Sequence, residues 1–291
     1  MPSVFNHTRN RSGMHTLLAC FVFGIAVYII VVFAAYHTQS AIIFGTAGMS
    51  AEPPSRFGIR TVSFFTSDGV HLKGWWMDTP GARRTVLFFH GNRRRPTDYA
   101  LRLSTLAGLG VNAFLFDYRG FGQSEGCVRR ESDIYLDGQA AWDYLHMDRQ
   151  IPARDIILWG RSMGGAVAVE VARQQPAGLL VLESTFFDLE EMARIHYRWL
   201  PTRYLLKYHF GNGEKVSEVR APVIVIHSPE DGYIPFDQGQ RLFDAAPQPK
   251  ILLPTAGPHT EPFDSRSTFR KQFFDHFNRM ADLGEAMAGR P

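Results

Sequence analysis

Three observations predict an α/β domain tethered by one transmembrane helix: short apolar runs alternating with amphipathic stretches, a Gly-x-Ser-x-Gly segment directly after one such run, and twenty uncharged residues near the N-terminus. The domain should hold a mostly parallel central sheet with helices on both faces and a small cap insertion. With 291 residues, 45% hydrophobic and 20% charged, the chain can bury a sizeable core, which excludes a disordered protein. Thirty-one basic against 28 acidic side chains leave a net charge of +3. No basic helix or aromatic RNA-binding motif accompanies that small excess, so no nucleic-acid partner is expected. Two cysteines, Cys20 and Cys127, make neither a disulfide framework nor a thiolate metal site.

The run Leu17–Tyr36 carries no charge. At about 1.5 Å per residue, a helix of that length crosses a hydrocarbon core of about 30 Å. The transmembrane helix is set at residues 16–36, after a tail of residues 1–15. Arg9 and Arg11 precede it and the next Lys or Arg is Arg56, so the positive-inside rule puts the N-terminus in the cytoplasm and the domain on the opposite side. A cleaved signal peptide is the rival, but its apolar region is shorter, and no small-residue cleavage site follows Tyr36. Residues 37–56 mix small, polar and Pro residues and read as a linker.

The α/β domain is placed at residues 57–283, with a tail at 284–291. Ile59–Trp76, divided at Ser67-Asp68-Gly69, suits an antiparallel hairpin at a sheet edge. Continuous apolar runs at Thr85–Phe89, Ala113–Asp117, Ile156–Trp159, Leu179–Leu182, Val223–Ile226 and Ile251–Leu253 suit parallel strands buried on both faces. Asp98–Leu109, Ile134–Leu145 and Ala166–Gln174 have the helical period between them. Residues 186–216 are rich in aromatic, Arg and Lys residues and lie between two strands, where they could cap the sheet.

Ile156–Trp159 runs into Gly160-Arg161-Ser162-Met163-Gly164-Gly165 and then a helical pattern, the strand, sharp turn and helix that expose a nucleophilic serine. A serine hydroxyl needs a base, itself oriented by an acid, and both follow in order. Asp231 lies in a turn beyond Val223–Ile226, and His259 lies in the loop after Ile251–Leu253, at the sheet edge where ligands of open parallel sheets collect. Glu183 and Glu230 are alternative acids; His90, His196 and His227 are alternative bases. Gly120, Gly122 and Gly126 are spaced G-x-G-x-x-x-G after Asp117-Tyr118-Arg119, which argues for a tight structural loop and not a dinucleotide site. No HExxH, CxxC, P-loop or EF-hand pattern is present, so no metal or cofactor is expected.

Four blocks, Phe88–Asn92, Asp117–Gly126, Gly160–Gly165 and His227–Pro235, make the chain resemble the α/β-hydrolases, and within them the membrane-anchored BEM46-like group that includes the α/β-hydrolase domain-containing 13 and 17 proteins. The similarity spans residues 57–277. It implies Asp231 as acid, His259 as base, and the backbone N–H groups of Met163 and Asn92 as an oxyanion hole. Related sequences continue the His-Gly-Asn block with small residues; here Arg93, Arg94 and Arg95 follow, which suits either a solvated loop or recognition of an anionic substrate group. The expectation is a membrane-tethered serine hydrolase of a small-molecule or lipid-like ester or thioester. A serine peptidase or amidase on the same fold and a non-catalytic binding protein are the alternatives.

Overall fold

Branched and aromatic residues along short runs with no polar face form strands that must be covered on both sides, and helices supply the cover. The computed structural model describes residues 8–45, 58–92, 102–103, 105–259 and 267–288. Among these, eight strands form one sheet: β1 (Arg60–Phe65), β2 (His71–Met77), β3 (Thr85–Phe89), β4 (Asn112–Phe116), β5 (Ile156–Arg161), β6 (Leu179–Glu183), β7 (Val223–His227) and β8 (Lys250–Pro254). Their order is β1-β2-β4-β3-β5-β6-β7-β8. β2 runs antiparallel to both β1 and β4, forming the expected edge hairpin, and β4 through β8 pair in parallel by way of β3.

One face is covered by helices Glu131–Asp143, Met163–Gln174 and Phe236–Ala245, with Phe89, Phe114, Leu158 and Val225 pointing into that core. On the other face Trp159, Ile157 and Ile224 pack against Phe273 and Phe277 of helix Ser267–Ala288 and against Leu103 and Leu106. That last helix runs past residue 283, where the sequence suggested a tail; there Gly284 packs on the Gly178 carbonyl, too close for any larger residue, and Asp282 and Glu285 pair with Arg84 and Arg83.

The chain leaves β3 to one side for β4 and returns to the other side for β5, so the sheet changes winding direction between β3 and β5. Loops diverge there and leave a crevice at the strands' C-terminal ends. Gly91 and Asn92 follow β3, and Ser162 follows β5, so both fall at this crevice. The glycine-rich Asp117–Gly126 loop is held by an ion-pair network. Arg119 donates to both carboxylate oxygens of buried Asp137 at 2.8 Å and reaches across to Asp68 of the hairpin turn at 2.7 and 3.0 Å. Its glycines at 120, 122 and 126 all have positive φ, which supports the structural reading of this segment.

Between β6 and β7 the chain forms the cap, with short helices at Leu189–His196, Thr202–Leu205 and Asn212–Val216. The N-terminal helix spans Thr8–Phe44, eight residues beyond Tyr36, where the sequence suggested that a linker begins. The difference has a tertiary cause. Gln39 and Phe44 are buried; Gln39 donates to the Leu205 carbonyl at 3.0 Å and accepts from the Lys207 N–H at 2.8 Å, and Phe44 meets the Tyr208 ring edge-on at 4.9 Å. Cap contacts thus stabilise turns whose polar residues look like a loop in isolation.

Candidate active site

Strand β5 turns into helix Met163–Gln174 within one residue, and Ser162 takes φ 53° and ψ −124° at the junction. Positive φ in a residue with a Cβ is strained and persists only where the surroundings impose it. Gly160 and Gly164 allow the turn to close: a Cβ on Gly160 would meet the Gly164 carbonyl oxygen at 2.5 Å, and one on Gly164 would collide with the Phe89 carbonyl. The Ser162 N–H donates to the Glu183 carbonyl at 2.9 Å, tying the turn to β6.

His259 stands beside the serine, its Nε2 3.1 Å from Ser162 Oγ and its Nδ1 2.7 Å from Asp231 Oδ2. The carboxylate takes the Nδ1–H, which leaves Nε2 to accept the hydroxyl proton. The other carboxylate oxygen, Oδ1, accepts from the N–H groups of Tyr233 and Ile234 at 2.9 and 2.8 Å. Burial alone would raise the Asp231 carboxyl, but the hydrogen bond and charge of His259, with these two N–H groups, hold it below its ordinary value. The structure therefore brings Ser162, Asp231 and His259 into one continuous chain of hydrogen bonds.

The rival residues have other partners. His90 Nδ1 donates to the Gly91 carbonyl at 2.7 Å, and fully buried His227 bonds the Ile234 carbonyl through Nε2 at 2.9 Å. His196 bonds the Tyr233 carbonyl at 2.9 Å and stacks on that ring. Glu230 accepts from the Gly257 N–H at 2.9 Å and braces the loop that carries His259.

Glu183 is buried in a cationic nest. Arg102 Nη2 donates to it at 2.8 Å, Trp159 Nε1 at 2.8 Å, and Arg161 Nε lies at 3.2 Å. Burial would raise its carboxyl; the charges of Arg102 and Arg161, with the hydrogen bonds, hold it below its ordinary value. Arg161 in turn donates from Nη2 to the His259 carbonyl at 2.7 Å. The sequence offers no signal for this link, since Arg161 and His259 are 98 positions apart. Removing the charge in Glu183→Gln leaves guanidinium groups in a buried site without their carboxylate, so a stability loss of about 3 kcal/mol is expected. The folded fraction should keep its activity within about tenfold, because the hydrogen bond from Asp231 to His259 is untouched. Thermal melts and activity normalised to titrated sites check both figures, and a loss matching that of Asp231→Asn would make Glu183 the acid.

Asn92, Ser162 and Met163 share the wall of an open cavity. Met163 begins its helix, where N–H groups have no intrahelical acceptor and are available to an incoming oxyanion. The rest of the wall is mostly apolar, including Leu189, Met192, Leu200 and Phe210 of the cap. Sequence reasoning missed one contributor: the N-terminal helix supplies Ala35, Gln39, Ile42 and Ile43. The sequence hints at it only in the short apolar run Ala41–Phe44, which does not say what it packs against. Arg93, Arg94 and Arg95 lie outside the described residues. Among the described residues, no group of three or more His, Cys, Asp or Glu side chains is arranged to hold a metal ion.

A family model described as serine aminopeptidase S33 matches residues 80–217. The uncharacterized protein Rv2307c of Mycobacterium tuberculosis is 37% identical over 207 residues, covering 70% of this chain and 73% of that one. Lysophosphatidylserine lipase ABHD12 of Danio rerio is 32% identical over 187 residues, 57% of this chain and 48% of its own. Among solved structures, Pyrococcus furiosus esterase Pf2001 aligns with a TM-score of 0.67 at 20% identity, over 81% of this chain and 99% of its own, a likeness of fold. Together, the mostly parallel sheet, the strand–serine–helix turn at its switch point and these relatives show that the chain belongs to the α/β-hydrolase family and is a hydrolase.

Proposed function

We propose that this hydrolase cleaves an ester or thioester through an acyl-Ser162 intermediate, tethered to a membrane by its N-terminal helix. The observation that carries the reading is the unbroken path from Ser162 Oγ through His259 to Asp231 at the wall of an apolar cavity. His259 Nε2 accepts the hydroxyl proton as Oγ attacks the substrate carbonyl carbon, while Asp231 stabilises the imidazolium. The carbonyl oxygen becomes an oxyanion facing the Met163 and Asn92 N–H groups, where a single donor is worth about 3 kcal/mol in comparable sites. Imidazolium Nε2–H then protonates the departing alkoxide or thiolate. Water, deprotonated by the same nitrogen, attacks the acyl-enzyme, releasing the acid and restoring the serine.

A peptidase is the second reading, favoured by the description of the family model. An aminopeptidase must pair the ammonium of its substrate, yet among the described residues no Asp or Glu lines the cavity. The apolar lining suits an acyl chain, in keeping with the lipase activity named for the Danio rerio relative. Arg93, Arg94 and Arg95, which follow Asn92 of the cavity wall in the sequence, fit this reading as cations suited to an anionic substrate group. The full-length protein, labelled with a fluorophosphonate and assayed on acyl esters of increasing length and matched peptide amides, is expected to prefer the esters. Faster amide turnover would favour the peptidase, and absence of both activities a binding protein. Arg9 and Arg11 put the domain on the side opposite the cytoplasm, which protease protection in sealed vesicles checks.

A further inference from the structure

The apolar segment of the N-terminal helix, Gly13–Phe44, is 32 residues long, about 48 Å of helix against a hydrocarbon core of about 30 Å. Its surplus is held by the cap. Gln39, Ser40 and Phe44 contact residues 205–210, and Lys207 places its ammonium 3.9 Å over the Tyr36 ring. Contact reaches further down the helix than these residues: the Tyr28 hydroxyl donates to the Trp199 carbonyl at 3.1 Å. Whether the hydrocarbon covers residues 13–32 or 17–36, Tyr28 lies inside it, about 6–12 Å short of the far edge at 1.5 Å per residue. The Trp199 end of the cap therefore reaches the outer part of the hydrocarbon, and Lys207, beside Tyr36, lies at its edge.

The surface of that tip matches the position. From Met192 to Gly213 the chain has no Asp or Glu, while Arg194, Arg198, Arg203 and Lys207 are exposed. Ile195, Trp199 and Tyr204 are exposed as well, Trp199 to 57% and Tyr204 to 82%. Aromatic rings and cations without carboxylates are the residues that settle among lipid headgroups, where the rings enter the boundary and the cations meet phosphate. Leu200 and Tyr197, between these exposed residues, line the cavity that holds Ser162, as do Ala35 and Ile42 of the helix. The cavity is thus walled on one side by a helix that continues into the hydrocarbon.

We propose that the cap tip, residues 194–207, is seated in the headgroup layer and the outer hydrocarbon of the membrane that the N-terminal helix crosses, so that the cavity opens onto lipid and the acyl chain of the substrate passes from the bilayer, between helix and cap, to Ser162. The inference rests on the reading of the chain as a membrane-tethered ester hydrolase and deepens it. It needs no aqueous stage for the substrate.

Trp199 supplies the probe, because Trp75, Trp76, Trp142 and Trp159 are buried. Full-length protein is placed in phosphatidylcholine–phosphatidylglycerol vesicles with and without bromine on the acyl chains. Contact quenching by the brominated lipid is expected in the unaltered protein and is expected to vanish in Trp199→Phe. Equal emission in both vesicles, or quenching that survives Trp199→Phe, overturns the seating and leaves the cap face to a protein partner. The double variant Trp199→Glu/Tyr204→Glu touches neither the cavity wall nor the three hydrogen-bonded residues. Its kcat/KM on a long-chain ester embedded in vesicles should fall about tenfold, with a soluble short-chain ester within about twofold. Equal loss on both substrates, or loss on neither, overturns the proposal. Quenching is independent of the chemistry at Ser162, so a protein that is quenched yet unlabelled by a fluorophosphonate would fail the hydrolase reading alone.

Discussion

Ser162→Ala is expected to lower kcat on an acyl ester by about 10⁵–10⁶-fold, a loss of ~7–8 kcal/mol of transition-state stabilisation, and to abolish fluorophosphonate labelling. The hydroxyl is the atom that bonds to the acyl carbon, and no other nucleophile among the described residues stands 3.1 Å from the His259 Nε2. The turn should survive the change. Alanine inherits the φ of 53°, keeps the N–H that donates to the Glu183 carbonyl, and leaves intact the close approach that Gly160 and Gly164 permit. Melting temperature should therefore shift by no more than a few degrees. Purified variant and parent, compared by labelling, turnover and thermal melts, provide the check; undiminished labelling in the variant would place the nucleophile elsewhere.

Asp231→Asn should cost about 10⁴-fold in kcat, and the structure gives the reason. Asp231 Oδ1 is held by the N–H groups of Tyr233 and Ile234, so in the variant the amide oxygen takes that side and the NH₂ group faces His259. A donor there turns the imidazole to the tautomer with its proton on Nε2, which then cannot accept the serine proton. His259→Ala removes the base outright and should approach the loss seen for Ser162→Ala. Because the three groups act as a unit, the double variant Ser162→Ala/His259→Ala should be no slower than either single one. Additive losses in that pair would mean that the two side chains act in separate steps, and a near-normal rate in Asp231→Asn would transfer the role of acid to another carboxylate.

Local chemistry made much of this molecule legible. Continuous apolar runs such as Thr85–Phe89 and Val223–Ile226 can be buried only as strands covered on both faces, and a serine between two tightly packed glycines at a strand-to-helix junction has few other structural uses. Asp231 and His259 were legible for the same reason, each lying in a short loop just beyond a strand whose C-terminal end had to face the crevice. Glu183 was different. It stands at an equivalent strand end, and only packing shows that Arg102, Arg161 and Trp159 enclose it, so that its charge holds other side chains. Nor could residues 37–44 be read as pocket wall, because their helix is stabilised by cap residues more than 160 positions away. The sequence alone determined what depends on neighbours along the chain: strand and helix periods, the serine turn, the apolar span. Tertiary structure decided which carboxylate faces the histidine and which helix closes the cavity, because both depend on the free energy of contacts between distant segments, which exists only after the sheet has brought them together.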